Sequence, residues 1–231
     1  MGAALGWGSL AAFSLVLGAL LAVARPWPDR LVGLVLAFGA GALISAVSFE
    51  LAEEGFRVGD RGSTAAGLAV GALVYYLLDG RLERRSGSNA GTPLALGAFL
   101  DGIPEQMVLG IGLAVGEGVS VALLVAIFVS NLPEAIGSAS DMRAAGRDDR
   151  TILRLWIAVA TVCALATVVG YALADAVSDN VKAAMDGFAA GALLVMLSDS
   201  MIPEARRDAG RTAGLVTVLG FAVAAGLSFT S

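Results

Sequence analysis

The sequence predicts an all-α integral membrane protein with eight transmembrane helices, and three observations carry that expectation. Of 231 residues, 57% are hydrophobic and only 15% charged, and a mean hydropathy of +0.81 is too apolar for a water-soluble domain of this length. Apolar stretches long enough to cross a bilayer, which takes about 20 residues, follow one another with short connections. Charge, Gly and Pro gather between the stretches. Residues 1–231 therefore read as a single transmembrane domain with no room for a soluble one.

The first span, 4–24, lies in an apolar run from Ala3 to Ala24 that has no basic segment before it and is too long for the core of a signal peptide. The second, 31–52, begins after Arg25, Pro26, Pro28 and Arg30, and the third, 63–79, ends before Arg81, Arg84 and Arg85. Pro93 opens the fourth, 93–114. The fifth, 119–141, stops before Arg143, Arg147 and Arg150, and the sixth covers 152–174. The seventh, 182–203, and eighth, 212–229, flank Arg206, Arg207 and Arg211. Trp7, Trp27 and Trp156 fall near span ends, as expected of interfacial aromatics.

Twelve of the fifteen basic residues fall on one side of this arrangement, and only Arg57, Arg61 and Lys182 on the other. The positive-inside rule then puts the Arg-rich connections in the cytoplasm and both termini outside. Fourteen Arg against the single Lys182 suggest a GC-rich bacterial genome, and hence a bacterial plasma membrane. The charge pattern offers nothing to nucleic acid. Cys163 has no partner for a disulfide and reads as a small core residue.

Laying the second span on the seventh with an offset of 150 pairs Phe38, Gly41, Ala42, Leu43, Ser48 and Glu54 with Phe188, Gly191, Ala192, Leu193, Ser198 and Glu204. Spans an odd number of crossings apart run in opposite directions, so a true repeat here is an inverted one. Chance similarity between two Gly/Ala/Leu-rich helices is the competing explanation. The spacings Gly67 to Gly71 and Gly187 to Gly191 read as helix packing.

Chemistry is expected where proline interrupts the spans. Pro104, Pro133 and Pro203 are each followed by Glu, as Gly102-Ile103-Pro104-Glu105, Asn131-Leu132-Pro133-Glu134 and Met201-Ile202-Pro203-Glu204. A proline inside a helix deprives the carbonyl four residues earlier of its donor, so carbonyl and carboxylate oxygens are offered together. Asp101 and Glu105 share one helical face of the fourth span, and Asn131 and Glu134 one face of the fifth, both close to mid-bilayer.

An ionised carboxylate at that depth costs about 2.5–3.5 kcal/mol on insertion scales. Every Lys and Arg lies at a connection or span end. Asp101, Glu105 and Glu134 are then either protonated or neutralised by a cation from outside the chain, and both options are transport chemistry. Protonated acids that merely hydrogen-bond between helices are the bland alternative. Glu50 and Asp199 lie toward the ends of the second and seventh spans, where they would form vestibules. Glu53, Glu54 and Glu204 read equally as solvated helix ends. Met107, Met196 and Met201 read as packing.

These stretches resemble the ZIP family of zinc and iron permeases, whose fourth and fifth helices each carry a His-Asn-x-Pro-Glu-Gly type sequence. Here they run Asp101-Gly102-Ile103-Pro104-Glu105-Gln106 and Ser130-Asn131-Leu132-Pro133-Glu134-Ala135. Glu105, Asn131 and Glu134 align with family metal ligands, while Asp101 and Ser130 stand where histidine or another ligand is usual. The resemblance implies eight helices, an inverted repeat of helices 1–3 and 6–8 around a central pair 4 and 5, a divalent metal ion as cargo with no resident cofactor, and a homodimer. It also implies that helices two, four, five and seven hold the ion and move against the other four. The chain lacks histidine altogether and has no acid in the sixth span. An oxygen-only site of Asp101, Glu105, Asn131, Glu134 and Ser130 suits Mn²⁺, Mg²⁺ or Fe²⁺ at least as well as Zn²⁺.

The leading expectation is thus a secondary carrier of divalent metal cations rather than an enzyme. A proton-coupled carrier of a non-metal solute, using the same acids, is the alternative. An intramembrane acid-base enzyme built on Asp101 and Asp199 is disfavoured, because no glycine neighbours Asp199 in Ser198-Asp199-Ser200.

Overall fold

The computed structural model describes residues 1–86, 92–114 and 121–228, and no strand occurs among them. Every stretch read as a span falls on a helix where it is described. The helices are α1 (Gly2–Ala24), α2 (Asp29–Val58), α3 (Arg61–Ser86), α4 (Thr92–Ala114), α5 (Val121–Ala144), α6 (Asp149–Leu173), α7 (Asp179–Ala209) and α8 (Thr212–Ser228). Among the described residues, five of them, α1, α2, α3, α6 and α7, are long and apolar enough to cross a membrane. The helices overrun the expected spans because backbone hydrogen bonding continues past the apolar run, as at Glu53–Val58 and Ile202–Ala209.

Among the described residues, two large hydrophobic cores organise the bundle, beside a small cluster of Ala11, Leu109 and Ile127. One joins Leu36, Leu43 and Leu51 of α2, Tyr75 of α3, Leu193, Met196 and Leu197 of α7 and Ala213 of α8. The other joins Leu15 and Ala19 of α1, Ala95 of α4, Ala135 and Met142 of α5 and Ile152, Trp156 and Cys163 of α6. This division, α2, α3, α7 and α8 against α1, α4, α5 and α6, differs from the grouping that the resemblance implies. Trp156, expected at an interface, is completely buried, because its face of α6 turns into the second core.

Small residues set the closest helix crossings. A Cβ added at Gly71 would fall 2.0 Å from Phe188 O, and one at Gly191 2.1 Å from Leu68 O, so α3 and α7 touch backbone to backbone. The crossing of α2 and α8 is built the same way. There the corresponding Cβ atoms would lie 1.9 Å from Thr217 O for Gly41 and 2.0 Å from Phe38 O for Gly220. Phe38 with Phe188, and Gly41 with Gly191, are pairs in the alignment at an offset of 150. Other packings follow the same exchange of partners: α1 lies on α5 as α6 lies on α4, and α2 lies on α5 as α7 lies on α4.

Candidate functional site

The seam between the two cores is where α4 and α5 meet α2 and α7. Glu105 on α4 and Asn131 and Glu134 on α5, two of the helices that form it, are all buried, 2%, 1% and 0% exposed. Among the described residues no lysine or arginine is buried. Neither Nδ2 nor Oδ1 of Asn131 has a hydrogen-bond partner among the described residues, and such a buried amide costs about 1–3 kcal/mol if nothing completes it.

Local sequence explains how α5 presents these groups. Pro133 lies inside the helix, which removes the donor for the carbonyl one turn back. Its ring packs on α2 at a glycine: a Cβ at Gly39 would lie 2.7 Å from Pro133 Cβ and equally close to Met201 Cε of α7. On its other side α5 approaches α1, where a Cβ at Gly18 would lie 2.8 Å from Leu132 O. The Pro-Glu step is thus held where α1, α2, α5 and α7 converge.

On α4 the fixing group is Gln106, beside Glu105 and fully buried. Its Oε1 accepts a short hydrogen bond from Thr167 Oγ1 of α6, and its Nε2 donates to Gly8 O of α1 at 3.5 Å. Gly102, one turn earlier, lets α4 close on α6, since a Cβ there would lie 2.8 Å from Cys163 Sγ.

The other expected site residues are placed as follows. The side chains of Asp101, Ser130 and Glu50 lie outside the described residues. Asp199 is exposed and, with Tyr76, Asp79, Arg81 and Ser198, lines a cavity of about 570 Å³ between α7 and α3. Among the described residues no three His, Cys, Asp or Glu side chains gather closely enough to hold a metal ion.

Two features escaped the sequence reading. Helices α2 and α7 each pass into a π-helical segment, Ala46–Ala52 and Leu197–Met201, at positions about 150 residues apart. Each segment carries a serine that bonds back one turn, Ser48 Oγ donating to Ile44 O at 2.7 Å and Ser198 Oγ to Leu194 O at 2.9 Å. A π turn shifts the backbone donor by one residue, so a hydroxyl serves the carbonyl it leaves. The second is Asp186 of α7, 0% exposed. The rule that flags ionisable residues inside apolar spans applies to it, and its position four residues after Lys182 was the available signal.

A model of the ZIP zinc transporter family matches residues 81–228, a range that contains α4 to α8 and the whole Pro-Glu constellation. The chain belongs to the ZIP zinc transporter family. None of the curated proteins matches it. Membership makes this ZIP protein a multi-pass membrane transporter whose substrate is a divalent metal ion, in a family of transporters rather than enzymes.

Proposed function

We propose that this ZIP protein carries its metal ion through a midplane site on α4 and α5 formed by Asp101, Glu105, Ser130, Asn131 and Glu134, with Glu50 and Asp199 on the approaches. The observation that carries the reading is the burial of Glu105, Asn131 and Glu134 with the Asn131 amide unsatisfied among the described residues. A divalent cation would accept Asn131 Oδ1 as a ligand and offset the buried carboxylates. All donors are oxygen, a set suited to Mn²⁺, Mg²⁺ or Fe²⁺ as well as Zn²⁺.

The single transmembrane domain has eight spans, both termini outside a bacterial plasma membrane, and an inverted repeat of helices 1–3 and 6–8. Two matched pairs support the repeat: the Gly41/Gly220 and Gly191/Gly71 crossings, and the π segments with their back-bonded serines. Separate cores support motion of α1, α4, α5 and α6 against α2, α3, α7 and α8, with the site at their seam. Uptake by proteoliposomes from a panel of Zn²⁺, Mn²⁺, Fe²⁺, Co²⁺, Cd²⁺ and Mg²⁺ tests the function and names the ion. Flux of at least one ion above that of empty vesicles is expected; flux indistinguishable from empty vesicles for every ion refutes the reading.

A further inference from the structure

Asp186 stands in the first half of α7, completely buried, and neither of its carboxylate oxygens has a hydrogen-bond partner among the described residues. The next residue, Gly187, packs directly on α3, where a Cβ would lie 2.2 Å from Thr64 O. Lys182 is the only lysine in the chain and precedes Asp186 by four residues, which places both on one face of α7. Its ammonium nevertheless pairs with Glu54 Oε1 of α2 at 3.6 Å. Arg57 holds the other oxygen, Glu54 Oε2, at 2.6 Å, so Glu54 gathers the basic groups while Asp186 is left more deeply buried.

A third oxygen group completes the neighbourhood. Thr64, at the start of α3, is also 0% exposed, and its hydroxyl has no hydrogen-bond partner among the described residues. Gly55, next to Glu54, brings the three helices together there. A Cβ at that position would lie 3.3 Å from Thr64 Oγ1 and 3.4 Å from Ala183 O, one turn before Asp186. Asp60 N donates to Asn180 Oδ1 at 2.9 Å, tying the α2–α3 connection to the first turn of α7, next to the α6–α7 connection.

We infer that Asp186, Glu54 and Thr64 form a second divalent-cation site, at the end of the bundle that carries these two connections, in which the Lys182 ammonium is the resident stand-in for the ion. Carboxylate and hydroxyl oxygens are hard donors, suited to Mn²⁺ or Mg²⁺ that keeps several of its waters. An arriving divalent ion would displace the lysine side chain, whose flexible stem lets it swing to solvent. The inference rests on the proposed function in assigning this site to the outer end of the cation's route.

The test is equilibrium Mn²⁺ binding to the purified full-length protein, followed by electron paramagnetic resonance. In Glu105→Gln/Glu134→Gln protein one Mn²⁺ site is expected to remain. Adding Asp186→Asn is expected to remove it, and adding Lys182→Met to tighten it on the order of tenfold, because a competing unit charge is gone. No residual site in the double variant, or a residual site unaffected by Asp186→Asn, overturns the inference. Should Asp186→Asn protein fail to fold, unchanged affinity in the Lys182→Met protein overturns it equally. A wild-type chain that moves no divalent ion, while the Asp186-dependent site still binds Mn²⁺, would refute the proposed function and leave this site standing.

Discussion

Gly39 and Pro133 meet so closely that the absent side chain of one makes room for the ring of the other: a Cβ at Gly39 would lie 2.7 Å from Pro133 Cβ and 2.9 Å from its Cγ. This contact joins α2 of one core to α5 of the other beside the buried Asn131 and Glu134. Overpacking at such a point costs about 1–3 kcal/mol. Gly39→Leu is expected to lower the melting temperature in detergent and to reduce metal uptake, with Gly39→Ala intermediate. Thermal unfolding and uptake measured on the same preparations check both.

The two matched crossings make a paired prediction. Gly41→Ala and Gly191→Ala would each place a methyl about 2 Å from a backbone carbonyl, Thr217 O in one case and Leu68 O in the other. Each is expected to destabilise by about 1–3 kcal/mol, to a similar extent. Gly214→Ala, in α8, meets nothing within 4 Å and is expected to be neutral or to stabilise by about 0.5–1 kcal/mol through helix propensity. Melting temperatures of the three variants decide whether the crossings are equivalent.

Gln106 and Thr167 form a buried pair, so removing one partner strands the other. Gln106→Leu or Thr167→Val alone is expected to cost about 1–3 kcal/mol. The double variant is expected to cost less than the sum of the two, with a coupling of about 0.5–3 kcal/mol. A double-mutant cycle on thermal stability measures the coupling directly.

Outside the spans, Asp148 caps α6 by accepting from Thr151 N at 3.0 Å and Thr151 Oγ1 at 2.5 Å, and these bonds hold its carboxyl below the ordinary aspartate value of 3.8. A depressed folded value means that the stabilisation is present above 3.8, and is lost as pH falls through the lower folded value. Asp148→Ala is therefore expected to melt below wild type at pH 6. The gap should close on acidification toward pH 2, and a gap independent of pH would exclude the ionised cap as its cause.

Much of the architecture was legible because lipid-spanning helices announce themselves by length and hydropathy, and because Pro-Glu steps inside apolar runs are costly enough to be noticed. Glu105, Asn131 and Glu134 were found this way and are buried. What stayed hidden depends on faces rather than composition. Protein-facing and lipid-facing sides of these helices are both apolar, so neither the two cores nor the burial of Trp156 could be read from hydropathy. The π segments were invisible for another reason. They arise from a one-residue shift in hydrogen bonding at Ala46–Ala52 and Leu197–Met201, and sequence marks that shift only by Ser48 and Ser198. Asp186 was passed over because no Pro-Glu step marks it.

The most direct test of the midplane site is metal uptake by proteoliposomes containing wild type, Glu105→Gln or Glu134→Gln protein, with folding verified by thermal unfolding. The account predicts that each substitution, nearly isosteric but uncharged, lowers uptake at least about tenfold while the protein stays folded. Uptake at the wild-type rate in either variant would contradict a carboxylate site on α4 and α5.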